Sequence, residues 1–107
     1  MNEARFKYEF EIVKKIIQTG TKEEQIKKYN ELKKEIEEAK IDLESAKQDL
    51  DSGLSGVAKT DRQGDLKFDN QTIETLTPVF TFLEDYLLAM GTIILEENKQ
   101  ENKNSKK

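Results

Sequence analysis

The sequence predicts a mainly α-helical protein: a small bundle made of an αα-hairpin and a third, C-terminal helix. Two observations carry this. Apolar residues recur at steps of three and four along most of the chain. A helix-capping pattern, Thr21 followed by Glu24, separates the first two periodic segments. One irregular stretch, residues 51–69, is the exception, and a short β-hairpin is expected within it.

Residues 2–18 form the first element. Phe6, Phe10, Val13 and Ile17 make a helical stripe, widened by Ile16. A competing pattern runs through the same residues. Phe6, Tyr8, Phe10 and Ile12 alternate with charged residues, as on a half-buried strand. Length favours the helix, because a run of this size without Gly or Pro exceeds a normal strand. Gly20 is expected to close that helix in the left-handed conformation. Thr21 and Glu24 form a capping box, in which each side chain satisfies an orphan backbone N–H. So short a link folds the two elements back on each other.

Residues 22–50 are the clearest helix. Tyr29, Leu32, Ile36, Ala39, Leu43, Ala46 and Leu50 step 3-4-3-4-3-4, the a and d positions of a coiled-coil heptad. Glu23–Lys27, Glu24–Lys28, Lys33–Glu37 and Lys40–Glu44 are i,i+4 pairs on the outer face, each worth only ~0.2–0.5 kcal/mol. Lys33, Lys40 and Lys47 occupy e positions, and Glu35, Asp42 and Asp49 occupy g. A parallel pair of identical helices would set acid against base, whereas an antiparallel pair would set like against like. The small residues Ala39 and Ala46 admit a close neighbour. The simpler expectation is that the stripe packs on the chain's own other helices.

Residues 51–69, "DSGLSGVAKTDRQGDLKFD", break the pattern with three glycines and scattered Asp and Ser. They read as a connection. Within it "KTDRQGDLKF" suggests a hairpin, with Gly64 supplying the positive φ of the turn and Leu66 and Phe68 alternating on a strand. Asp61, Asp65 and Asp69 are not spaced as an EF-hand loop requires, and no metal site is expected.

The third helix is expected to begin at Asn70 or Thr72 and to restart or kink at Thr77-Pro78, because proline is best placed in a first turn. Phe80, Leu83, Leu87, Met90 and Ile94 form its stripe, and Val79, Phe82, Tyr86 and Ile93 broaden it. The apolar run 78–95 is barely long enough for a bilayer, and Glu84 and Asp85 at its centre would be costly there. The helix is therefore expected to pack in protein, with both acids on its wet side. Leu88 and Leu95 lie off the stripe, so the apolar surface is wider than a three-helix core needs. One domain over residues 1–97 is expected, with a disordered polar tail over 98–107.

Composition narrows the function. The chain has 107 residues, no Cys and no His. Disulfides, thiol nucleophiles, Ser–His–Asp triads and Glu-x-x-His di-iron sites are thereby excluded. No Gly-rich phosphate loop precedes a helix. An enzyme is not expected, nor is a cofactor. The net charge is −4 with both signs interspersed, unlike the clustered positive face of a nucleic-acid binder. The first residues lack the basic start and apolar run of a signal peptide, so a cytoplasmic protein, not membrane-bound, is expected.

The Lys-, Glu-, Asn- and Ile-rich usage, the absence of Cys, His and Trp, and the stretch "KKYNELKKEIEEAKIDLESAKQDL" resemble small proteins of phages and mobile elements of low-GC Gram-positive bacteria. That resemblance assigns no functional residue. Two functions remain open. One is a helical interaction or assembly protein, a homodimer or other homo-oligomer. Its interface residues would be Phe80, Leu83, Leu87, Leu88, Met90, Ile94 and Leu95 on the third helix, with Ile36 and Leu43 on the second. The other is an acidic inhibitor that covers a basic, nucleic-acid-binding surface of another protein. Asp69 to Asn98 contains no Lys or Arg but holds Asp69, Glu74, Glu84, Asp85, Glu96 and Glu97. Leu83 and Leu87, at the centre of the densest stripe, are also expected in the core.

Overall fold

The structure, a computed structural model, describes residues 2–94. It contains three helices: α1 (Glu3–Thr19), α2 (Lys22–Asp51) and α3 (Gly56–Ala89). There is no strand among the described residues. Leu95 and the tail 98–107 lie outside them.

α1 is a helix, the alternative that its length favoured over a strand. The Asn2 side chain caps it by accepting from the Arg5 N–H at 3.1 Å. The helical period decides which residues go inside: Val13 is fully buried and Phe6, Phe10 and Ile17 pack around it, whereas Tyr8 is 67% exposed. Tyr8 would have joined Phe6 and Phe10 on one face of a strand.

Gly20 does not adopt the left-handed conformation expected of it. Its backbone is extended, with φ −87° and ψ 166°. Glycine is required there for space instead. Its N–H donates to the Ile16 carbonyl at 2.8 Å, and a Cβ would sit 2.7 Å from that same oxygen. The capping box beyond it is complete: the Glu24 N–H donates to Thr21 Oγ1 at 3.1 Å, and the Thr21 N–H donates to Glu24 Oε1 at 3.1 Å.

α2 and α3 make the long antiparallel hairpin of the molecule. Early α2 meets late α3, where Tyr29 stacks on Phe80 with ring centroids 5.1 Å apart. Late α2 meets early α3, where Asp49 meets Arg62. The stripe of α2 is consumed in this contact. Tyr29, Leu32, Ile36, Ala39 and Ala46 are buried, and Leu43 and Leu50 are half-buried. From α3, Leu76, Val79, Leu83 and Leu87 are fully buried, so Leu83 and Leu87 are core residues.

The expected β-hairpin is absent, and so is the long connection. Residues 52–55 alone join α2 to α3. Gly53 (φ 89°) and Gly56 (φ 68°) make the turn, while Gly64 lies inside α3. The reason is visible in the spacing. Positions 62, 65, 69, 72, 76, 79 and 83 step 3-4-3-4-3-4, a continuous seam, but the first four are Arg62, Asp65, Asp69 and Thr72. Polar residues at seam positions hid a helical period that apolar residues would have shown.

α3 also does not restart at Pro78. Thr77 and Pro78 are both exposed, so the ring and the missing N–H lie on the outer side of the helix, where they are tolerated. The C-terminus closes on Gly91 (φ 72°). The Thr92 N–H donates to the Leu87 carbonyl and the Gly91 N–H to the Leu88 carbonyl, the paired bonds of a Schellman motif.

α1 lies against one end of the α2–α3 hairpin. The Asn2 N–H donates to Thr75 Oγ1 at 3.0 Å, Phe10 meets Phe82 edge-on at 4.8 Å, and Gln25 Nε2 donates to the Ile16 carbonyl at 3.4 Å. These contacts reach Thr75 on α3 and Glu35 on α2. Beyond them, α2 from Ala39 and α3 up to Asp69 form an arm two helices thick. No helix of the described residues is long and apolar enough to cross a membrane.

Candidate functional site

Two features distinguish the surface and seams: a charged cluster inside the arm, and apolar side chains left outside the core.

Arg62 is the centre of the cluster. Its Nε lies 2.9 Å from Asp49 Oδ2, and its Nη1 lies 3.6 Å from Asp42 Oδ1 and 2.6 Å from Asp65 Oδ2. Burial works against its charge, but the Asp65 hydrogen bond and the charges of Asp49, Asp42 and Asp65 outweigh that and hold its proton more firmly. Asp69, two turns along α3, is 5% exposed. Desolvation first, then a hydrogen bond and charge from Asp42 and the charge of Asp65, raise its carboxyl to about 6 from 3.8, with Arg62 opposing.

The g-position acids of α2 thus find their partners inside the chain. Glu35 pairs with Arg5 of α1, and Asp42 and Asp49 pair with Arg62 of α3. Lys28 of α2 likewise reaches Glu9 of α1 at 2.9 Å. Lys33, Lys40 and Lys47 remain exposed on the other edge of the helix.

Leu95 lies outside the described residues, and the other interface residues named from sequence fall into three groups. Ile36, Leu83 and Leu87 are buried in the chain's own core. Leu43, Phe80 and Leu88 are half-buried. Met90 and Ile94 are 62% and 68% exposed. Ile41, Val57 and Phe68 on the arm, and Tyr8 on α1, are also more exposed than buried; sequence reading named none of these four as surface contacts.

Of the acids expected on the wet side of α3, Asp85 is exposed and Glu84 is half-buried. Glu84 Oε2 accepts from the Tyr29 hydroxyl at 3.3 Å. Burial raises the Tyr29 hydroxyl above its ordinary value, and the Glu84 charge adds to the effect. Asp69 also belongs to the acidic stretch read as one-sided, yet it faces the seam and presents no charge to solvent.

A hollow on α2, between Ile26, Asn30 and Lys34, is lined by that one helix. A second, between Tyr8, Ile12 and Lys15, is lined by α1 alone. Neither is a cleft between elements. Among the described residues no three His, Cys, Asp or Glu side chains are grouped to hold a metal ion. Sequence reading gave Arg62 no role and placed Asp69 in the acidic stretch, not in the seam. Their only signal was the 3-4 spacing that continues the apolar seam of α3. No family model, no curated protein and no solved structure matches the chain.

Proposed function

We propose that this is a non-enzymatic helical assembly protein that associates with itself through apolar side chains its own core leaves uncovered. The observation that carries the reading is at the C-terminal end of α3. Met90 and Ile94 are 62% and 68% exposed, and Leu88 beside them is only half-buried. Leu83 and Leu87 serve the core, so the self-associating surface is the outer remainder of the stripe. Burying a large aliphatic side chain contributes ~1.5–3 kcal/mol, against ~0–1 kcal/mol for an exposed ion pair. A seam through α2 is disfavoured, since its a and d residues contact α3 and its g acids are paired.

Sedimentation at micromolar concentration tests this. A dimer or larger species is expected. Met90→Lys with Ile94→Lys should dissociate it, while Lys40→Glu with Lys47→Glu should not. A monomer throughout the accessible range overturns the reading.

A further inference from the structure

The arm contains a buried carboxyl group without enough positive charge to match it. Asp69 lies in the α2–α3 seam, and its Oδ2 is sealed from solvent with no hydrogen-bond donor. The groups around it come from both packed elements. α2 supplies Asp42, and Asp49 through Arg62; α3 supplies Arg62 and Asp65. α1 stops short, with Asn2 at Thr75 and Arg5 engaged by Glu35. One guanidinium therefore serves four carboxyl groups, Asp42, Asp49, Asp65 and Asp69, and an ionised, donorless Asp69 would be costly. A proton changes this. Protonated Asp69 can donate to the Asp42 carboxylate, which removes one negative charge and leaves Oδ2 part of a neutral carboxyl, cheaper to bury without a donor.

We propose that Asp69 is a proton-operated clasp: protonated, it ties α3 to Asp42 of α2, and ionised, it loosens the arm. Burial and the carboxylates of Asp42 and Asp65 place its titration near the mildly acid range, at about 6, above the 3.8 of a free side chain. The folded chain then keeps a proton that the unfolded chain releases. The clasp's contribution is complete below about pH 4 and is lost as pH rises through about 6. Among the described residues no third helix covers this part of the hairpin, so loss of the clasp should open the arm locally, leaving the core around Leu76, Leu83 and Leu87 closed.

Carboxyl carbon NMR of Asp69 and amide hydrogen exchange, the latter expressed as protection factors, test the clasp on the full chain. Asp69 should titrate near about 6. Protection over residues 60–70 should fall about tenfold between roughly pH 5 and 7.5, because the equilibrium for opening changes up to about tenfold for each pH unit over which the folded and open forms differ by one proton. Protection over residues 76–87 should hold. Asp69→Asn should keep the arm protected at both pH values. Asp42→Asn should lower the Asp69 midpoint, and Arg62→Gln should raise it. The last two report on the clasp even if Asp69→Asn folds poorly. An Asp69 midpoint in the ordinary carboxylate range, an arm equally protected at both pH values, or a midpoint unmoved by Asp42→Asn overturns the proposal.

Discussion

Gly64 is an exposed glycine in the interior of α3, and a Cβ placed on it would meet nothing within 4 Å. Glycine costs a helix interior ~0.5–1 kcal/mol relative to alanine. Gly64→Ala should therefore stabilise the protein by about that amount and raise the melting temperature by several degrees. In a hairpin turn with positive φ the same change would be destabilising, so a thermal melt separates helix from turn at this residue. Gly20 is the opposite case. Its Cβ would press on the Ile16 carbonyl at 2.7 Å, and Gly20→Ala should lower the melting temperature. Both glycines stand in polar surroundings in the sequence. Nothing local shows that one is replaceable and the other is held by a neighbouring carbonyl.

Within the elements, the α2–α3 hairpin has two unlike halves. Where α1 lies against it, the seam is aliphatic and aromatic: Tyr29, Leu32 and Ile36 meet Leu76, Val79 and Leu83. In the arm, Ala39 and Ala46 face a seam that includes Arg62, Asp65 and Asp69. Stability should follow this division. Leu83→Ala removes a fully buried side chain and should cost ~2–5 kcal/mol, read as a lower denaturation midpoint for the whole domain. Thr21→Ala removes the hydroxyl that caps α2 and should cost ~1 kcal/mol. α2 was legible in the sequence because its seam is apolar and its cap is a short-range pattern. The first 14 residues of α3 were not, since Arg62 finds Asp42 and Asp49, and Asp69 finds Asp42, only across a gap in sequence. A window moved along the chain sees two glycines there, and the apolar Val57, Leu66 and Phe68 do not continue the seam.

At the scale of the whole molecule, the core is concentrated at one end. Val13, Tyr29, Leu32, Ile36 and the buried leucines of α3 surround the place where all three helices meet. The arm extends beyond it, with Ile41, Val57 and Phe68 on its surface. A small domain with this much apolar surface outside its core gains stability from association. The assembly reading therefore predicts that the melting temperature rises with protein concentration and that the rise vanishes in the Met90→Lys, Ile94→Lys variant. A melting temperature independent of concentration would count against self-association and toward a surface kept for a different protein.

The helical class, the position of the α2 cap and the core roles of Leu83 and Leu87 follow from local order alone. Periodicity and capping act over three to seven residues, so a single chain displays them openly. The continuity of α3 through Gly64 and Pro78 does not follow from local order. It depends on α2 lying alongside to accept Arg62 and Asp69, and on Pro78 falling on the solvent side. The destination of the g-position acids was likewise open. Charge pattern equally suits a second copy or the chain's own helices, and the choice fell to Arg5 and Arg62, which folding brings to Glu35, Asp42 and Asp49. An ion pair between residues far apart in sequence has no local signature, because its energy exists only once the helices are side by side.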